Sequence, residues 1–187
     1  MFISSAFAQT APAAAGGDKE LANTMTVQLA EENPAQALLA QSRILLNEKK
    51  PAEALALLEK LMPDPPTARL LARKAQIQNE LAAYKDAFVS YSQAAEYATE
   101  LTEKYNALYH IGRLAVVADQ DANLGIKALQ QYVEFYQDSE NKTLPWAKLR
   151  LAQLMYRTGD NFEATLLAGS LTNILCDVFS IASLRTE

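Results

Sequence analysis

Apolar residues recur along this chain at helical spacing, in paired stretches separated by turn signals. Leu21, Met25 and Leu29 fall at i, i+4 and i+8 after Asp18, a residue suited to capping. That run predicts a first helix ending near Asn33–Pro34, because a residue before proline resists the α conformation. Leu38, Leu45 and Leu46 then mark one side of a second helix. Asn47 to Lys50 supplies a turn, and Pro51 suits the first turn of a helix burying Ala54, Leu55, Leu58 and Leu61. Pro63, Pro65 and Pro66 stop it. Leu71, Ala75 and Gln78 form the next inner face, opposite a stripe of Tyr84, Ala87, Tyr91 and Ala94. Leu108, Ile111, Gly112 and Ala115 precede a turn over 119–123, followed by Gly125, Leu129 and Tyr132. A polar loop from Asp138 to Thr143 lengthens this pair. Leu149, Ala152 and Tyr156 belong to the last pair, with Trp146 beside Pro145 as a packing anchor between units. A turn at Thr158-Gly159-Asp160 leads to Ala164 and Leu167 to Leu171.

These pairs repeat. Ala54 and Ala87 stand 33 residues apart, and Ala87 and Ala164 stand 77 apart, close to two further units with insertions. The expected units are 35–67, 68–100, 101–143 and 144–175, with a terminal segment 176–187. Such periods indicate a stack of helical hairpins, each needing the next to bury its apolar face. Gly112, Ala152, Ala54 and Ala87 supply gaps, and Leu58, Tyr91 and Leu129 supply bulk. That alternation lets neighbouring helix axes approach to about 8–10 Å.

Composition narrows the class. Half the residues are apolar, 21% are charged, and glycine (6) and proline (7) are scarce, which suits an all-α globular chain. The net charge of −5, with no dense Lys/Arg cluster, argues against nucleic acid and against a basic helix lying on a membrane. No apolar run reaches the roughly 18 residues of a membrane span. Chemistry is sparse. His110 and Cys176 are the sole histidine and cysteine, so neither a transition-metal cluster nor an internal disulfide is expected. They fall in different units and read as a helix-surface imidazole and a buried thiol rather than a nucleophile pair. No glycine-rich phosphate loop follows a strand. Glu96, Glu100, Glu103 and Lys104 read as a solvated, salt-bridged helix face. The eight tyrosines, all between 84 and 156, read mainly as packing. No cofactor, metal or free-standing enzyme activity is expected.

The ends say something about location. Ala6-Phe7-Ala8 has the small-x-small form of a signal cleavage site, and Thr10 to Gly17 resembles a flexible leader. Residues 1–17 are therefore expected to be a residual signal peptide and leader, with a periplasmic or secreted product. A cytoplasmic protein starting at Met1 is the alternative. Leu175 to Leu184 is apolar, which suits either a short capping helix or a fragment of a longer array, whose uncapped end would also be a self-association surface.

The hairpins resemble the tetratricopeptide repeat. Ala87, Tyr91 and Ala94 match its second-helix triplet. Ile111-Gly112 matches its first-helix Leu-Gly pair, Leu151-Ala152 with Gly159-Asp160 and Ala164 matches a whole unit, and Pro66 matches the closing proline. Gln41-Ser42, Lys74-Ala75 and Gly125 depart from the pattern. The resemblance implies a right-handed superhelical solenoid of about four repeats plus an N-terminal helix, similar to bacterial envelope members of the family. It implies a non-enzymatic scaffold or adaptor that holds a peptide or partner helix on the concave face lined by the first helices. By repeat position the candidate binding residues are Arg43, Asn47, Arg69, Gln76, Asn79, Tyr109, Arg113, Gln153, Tyr156 and Arg157, a polar set suited to acidic or hydrogen-bonding peptides. Leu39 and Arg43 stand where a clamp for a chain-terminal carboxylate needs Lys and Asn. The alternatives are a docking or regulatory segment of a larger polypeptide, and a self-stacking oligomer.

Overall fold

The structure, a computed structural model, describes residues 33–171. The expected N-terminal helix, the leader and the segment from 172 onward, with Cys176, lie outside the described residues. Within them the chain forms eight helices and no strand. They are α1 (Pro34–Asn47), α2 (Pro51–Leu61), α3 (Ala68–Glu80), α4 (Tyr84–Tyr97), α5 (Leu101–Val117), α6 (Ala122–Tyr136), α7 (Leu144–Thr158) and α8, helical over 161–171.

Local chemistry sets the starts. The Asn33 side chain accepts a hydrogen bond from Gln36 N at 3.1 Å, and Pro34 occupies the first turn of α1. Asp121 caps α6 by accepting from Leu124 N at 3.0 Å, and Thr67 caps α3. Each first-to-second-helix turn contains one left-handed residue: Lys49 (φ 61°), Ala82 (φ 59°), Asp119 (φ 50°) and Gly159 (φ 95°). Three of these turns close with the same bond to a carbonyl five residues back: Lys50 to Leu45 (2.9 Å), Ala83 to Gln78 (2.8 Å) and Asp160 to Met155 (2.9 Å). Only the last uses glycine, so Ala82 carries a left-handed penalty. Ala82→Gly is expected to stabilise the protein by about 0.5–1 kcal/mol in urea denaturation.

Among α1 to α7 each helix packs on the next, and the first helices also touch one another: α1 with α3, α3 with α5, α5 with α7. No corresponding contact joins the second helices α2, α4 and α6. Closer approach along one row curves a stack toward that row, so the first helices line the inner side. The core falls into a small cluster around Leu38, Ala54, Leu58, Leu70 and Ile77, and a larger one from Leu71 to Ala164. Gly112 and Leu129 mesh, and Gly125 lies against Ala115 and Leu154, so the expected gaps and bulk meet as paired contacts. The polar loop is tied down: the Tyr132 hydroxyl bonds Thr143 Oγ1 and accepts from Asn141 Nδ2 at 3.1 Å.

Four expected inner residues are exposed instead. Leu61 is the last residue of α2, and Tyr84 begins α4 one turn before its first buried position, Ala87. Trp146, 58% exposed, is not an anchor between units. Leu144, Ala147, Leu151, Leu154 and Met155 define the inward line of α7, and Trp146 and Leu149 fall off it. His110 is not a surface imidazole either: it is half-buried and stacked on Tyr91. Glu100 and Glu103 bond across helices to Arg69 rather than along their own helix.

Candidate binding face on the first helices

The inner row presents α1, α3, α5 and α7. Its central feature is a crevice of about 400 Å³ whose lining includes Leu39, Arg73, Gln76, Asn106 and His110. Two of the ten expected binding residues, Arg69 and Gln76, line it. Arg69 is held by Glu100 (3.2 Å) and Glu103, so its charge is balanced locally. Gln76 accepts from Arg73 Nη1 at 3.1 Å and donates to Glu80 at 3.3 Å. Asn79 and Arg113 meet one another, Arg113 Nη2 donating to Asn79 Oδ1 at 2.9 Å. The tyrosine hydroxyl of Tyr109 accepts from Arg150, whose guanidinium also lies over the Tyr109 ring, 5.2 Å from its centroid.

The remaining expected residues sit apart. Arg157 donates to the Ala115 carbonyl at 2.7 Å and pairs with Asp119 at 3.0 Å, so it clasps α7 to the end of α5. Gln153 and Tyr156 line a separate, mostly apolar crevice with Leu149, Ala164 and Ala168. Arg43 and Asn47 are exposed on α1. The sequence reading omitted Arg73, Asn106, His110 and Arg150. Each lies on a first helix, three or four residues from a residue that reading did select, so counting a second position per turn would have found them.

Rings carry the row inward. Tyr91 stacks on His110 (4.7 Å, 10°), His110 meets the edge of Tyr109, and Tyr109, Tyr132, Tyr136, Phe135 and Tyr105 continue the contact. Burial pushes the Tyr91 hydroxyl up to about 12. Burial first, then the positive charges of Arg113 and Arg150, pulls His110 down to about 4, so the ring is neutral at pH 7. Its Nδ1 and the Nε of Arg113 are buried without a hydrogen-bond partner among the described residues. No group of three or more His, Cys, Asp and Glu side chains that would hold a metal ion occurs among the described residues. None of their helices is long and apolar enough to cross a membrane.

No protein-family model and no curated protein matches this chain. Solved structures do. The TPR-like repeats of a putative kinesin light chain from Podosopora anserina match at 16% identity and TM-score 0.61, over 85% of this chain and 86% of that one. YrrB, described as a TPR protein with an unusual peptide-binding site, matches at 20% identity and TM-score 0.65, over 79% of this chain and 73% of its own. MamA matches at 13% identity and TM-score 0.62, over 87% of this chain and 95% of its own. With its paired helices and the first-helix row drawn together on one side, the chain has the tetratricopeptide-repeat fold.

Proposed function

We propose that this protein is a non-enzymatic interaction scaffold that holds an extended peptide or a partner helix along the inner row of α1, α3, α5 and α7. One observation carries the reading. Exposed and half-exposed polar side chains of α3 and α5, among them Arg73, Gln76, Asn106 and His110, converge on an open crevice, and along the same row Arg73, Arg113 and Arg150 bond only neutral groups among the described residues. A stack of packed hairpins presents these groups with little ordering cost on the scaffold side. The peptide-binding description of YrrB is consistent with such a use of the fold.

The test is selection of binders from a random peptide library, followed by competition with a variant carrying Arg43→Ala, Gln76→Ala and Asn106→Ala. These side chains are exposed, so each substitution is expected to change the unfolding free energy by less than about 0.5 kcal/mol. Selected peptides are expected to bind the triple variant at least about tenfold more weakly. Unchanged binding, with crosslinks to α2, α4 or α6, would move the site to the outer row and end the proposal.

A further inference from the structure

The α7–α8 hairpin lacks a side chain that the other three have. Four residues after Ala54, Ala87 and Gly125 stand Leu58, Tyr91 and Leu129. All three are buried, and Leu129 meshes with Gly112 on its own first helix. Four residues after Ala164 stands Ala168, and it is exposed. A methyl group where the other hairpins place a leucine or a tyrosine leaves a crevice of about 370 Å³ between α7 and α8. Its apolar lining includes Leu149, Ala152, Tyr156, Ala164 and Ala168, with Leu149 37% and Tyr156 70% exposed.

The stack shows what belongs there. Each earlier hairpin carries the next first helix against both of its own helices: α3 on α1 and α2, α5 on α3 and α4, α7 on α5 and α6. Among the described residues no helix stands in that position on α7 and α8. The Gly159 turn sends α8 back along α7, so a segment turning again after Leu171 runs beside α7 in the same direction. The chain from 172 onward lies outside the described residues, but its sequence has the matching pattern. Ile174, Leu175, Val178, Ile181 and Ala182 fall on one side at helical spacing, with Asp177, Ser180 and Ser183 opposite. Lengths agree as well. Leu149 to Tyr156 covers seven residues of helix, about 10 Å, and so does Ile174 to Ile181.

We infer that residues 174–184 dock in the α7–α8 crevice of their own chain and supply the apolar bulk that Ala168 does not. Burial of the crevice lining and of the segment's apolar side drives the docking. The inference goes beyond the scaffold reading and does not require a ligand. It has a consequence for the inner row all the same. Gln153 and Tyr156 line the crevice, so the docked segment covers both and leaves the part of the row on α3 and α5 as the part open to a partner.

The single cysteine, Cys176, makes a site-specific label straightforward. In the full chain Cys176→Ser is combined with Ser183→Cys, on the polar side of the segment, and a nitroxide is attached there. Amide NMR signals of Ala152, Tyr156 and Gly159, toward the far end of α7 from the segment's start, are expected to broaden. Ala168→Leu fills the crevice from α8 itself and Val178→Asp puts a charge on the apolar side, so each is expected to abolish the broadening. Unchanged amide signals of α3 to α6 in both variants show that the stack stays folded. A mixture of isotope-labelled protein lacking the nitroxide with unlabelled protein carrying it is expected to show no broadening. Broadening in that mixture would make a second copy the occupant and overturn the inference. Broadening confined to the end of α8, or broadening that survives Ala168→Leu, would overturn it too, and either result leaves the scaffold reading standing.

Discussion

Gly125→Ala is expected to destabilise the protein by about 3 kcal/mol or more, enough to unfold a marginal domain at room temperature. A Cβ built on Gly125 overlaps the Cβ of Ala115 and lies 3.0 Å from Leu154 Cδ1. The Ala115 methyl group is fixed to the α5 backbone and cannot rotate away, so α5 and α6 must separate, disturbing the large core cluster between them. Gly112→Ala meets a different obstacle, the wholly buried side chain of Leu129, whose Cδ1 would be 2.6 Å away. Its expected cost is about 2–3 kcal/mol. Leu129→Ala alone opens a cavity at a cost of about 3–4 kcal/mol. In the double variant the new methyl group occupies part of that cavity, so the combined loss should fall short of the sum by at least about 1 kcal/mol. Leu154→Ala should not rescue Gly125→Ala, because the Ala115 obstacle remains. Urea denaturation of the six proteins, wild type included, measures all of this. Strict additivity for Gly112 and Leu129 would contradict the contact described.

The second large effect is on acid stability. His110 titrates at about 4 in the folded protein against about 6.5 when unfolded. Between those values the unfolded chain binds the extra proton, so stability rises with pH across the window and is lost as pH falls from about 6.5 to about 4. Below that window the contribution stays flat. The full shift corresponds to no more than about 3 kcal/mol, and water reaching the half-buried ring lowers the amount realised. His110→Phe keeps a ring against Tyr91 and removes the titration. Wild type and variant should therefore diverge as urea midpoints are followed from about pH 7 to pH 4, with wild type losing more. Parallel curves would show that the imidazole is solvated in the folded state.

The hairpins were legible because their signals are local. Helical periodicity, Pro51 at the start of α2, the Gly159 turn and the spacing of Ala54, Ala87 and Ala164 all lie within short stretches of chain. The boundaries suffered where a helix runs past its neighbour. Leu61 and Tyr84 have core chemistry but stand at helix ends, and nothing in their own sequence window reports how far the partner extends. Trp146 failed for a rotational reason: neighbouring residues point about 100° apart around a helix, and Ala147 takes the inward position.

The candidate site was legible only in outline. Choosing the first helices followed from the repeat resemblance, and it led to residues that do stand on those helices. Which of them are free to meet a ligand depends on partners far away in sequence: Glu103 for Arg69, Asp119 for Arg157 and Asn79 for Arg113. His110 was the clearest case. A lone histidine on a helix reads the same whether it is solvated or pressed against Tyr91, and the difference of more than two pKa units comes from burial and from arginines on α5 and α7.

The sequence by itself determined the all-α class, the hairpin repeat and the turns, because each depends on residue type and near-neighbour spacing. The tertiary structure alone decided which arginines are neutralised, which rings touch and where the crevice opens, because those depend on side chains brought together from helices about 30 to 40 residues apart.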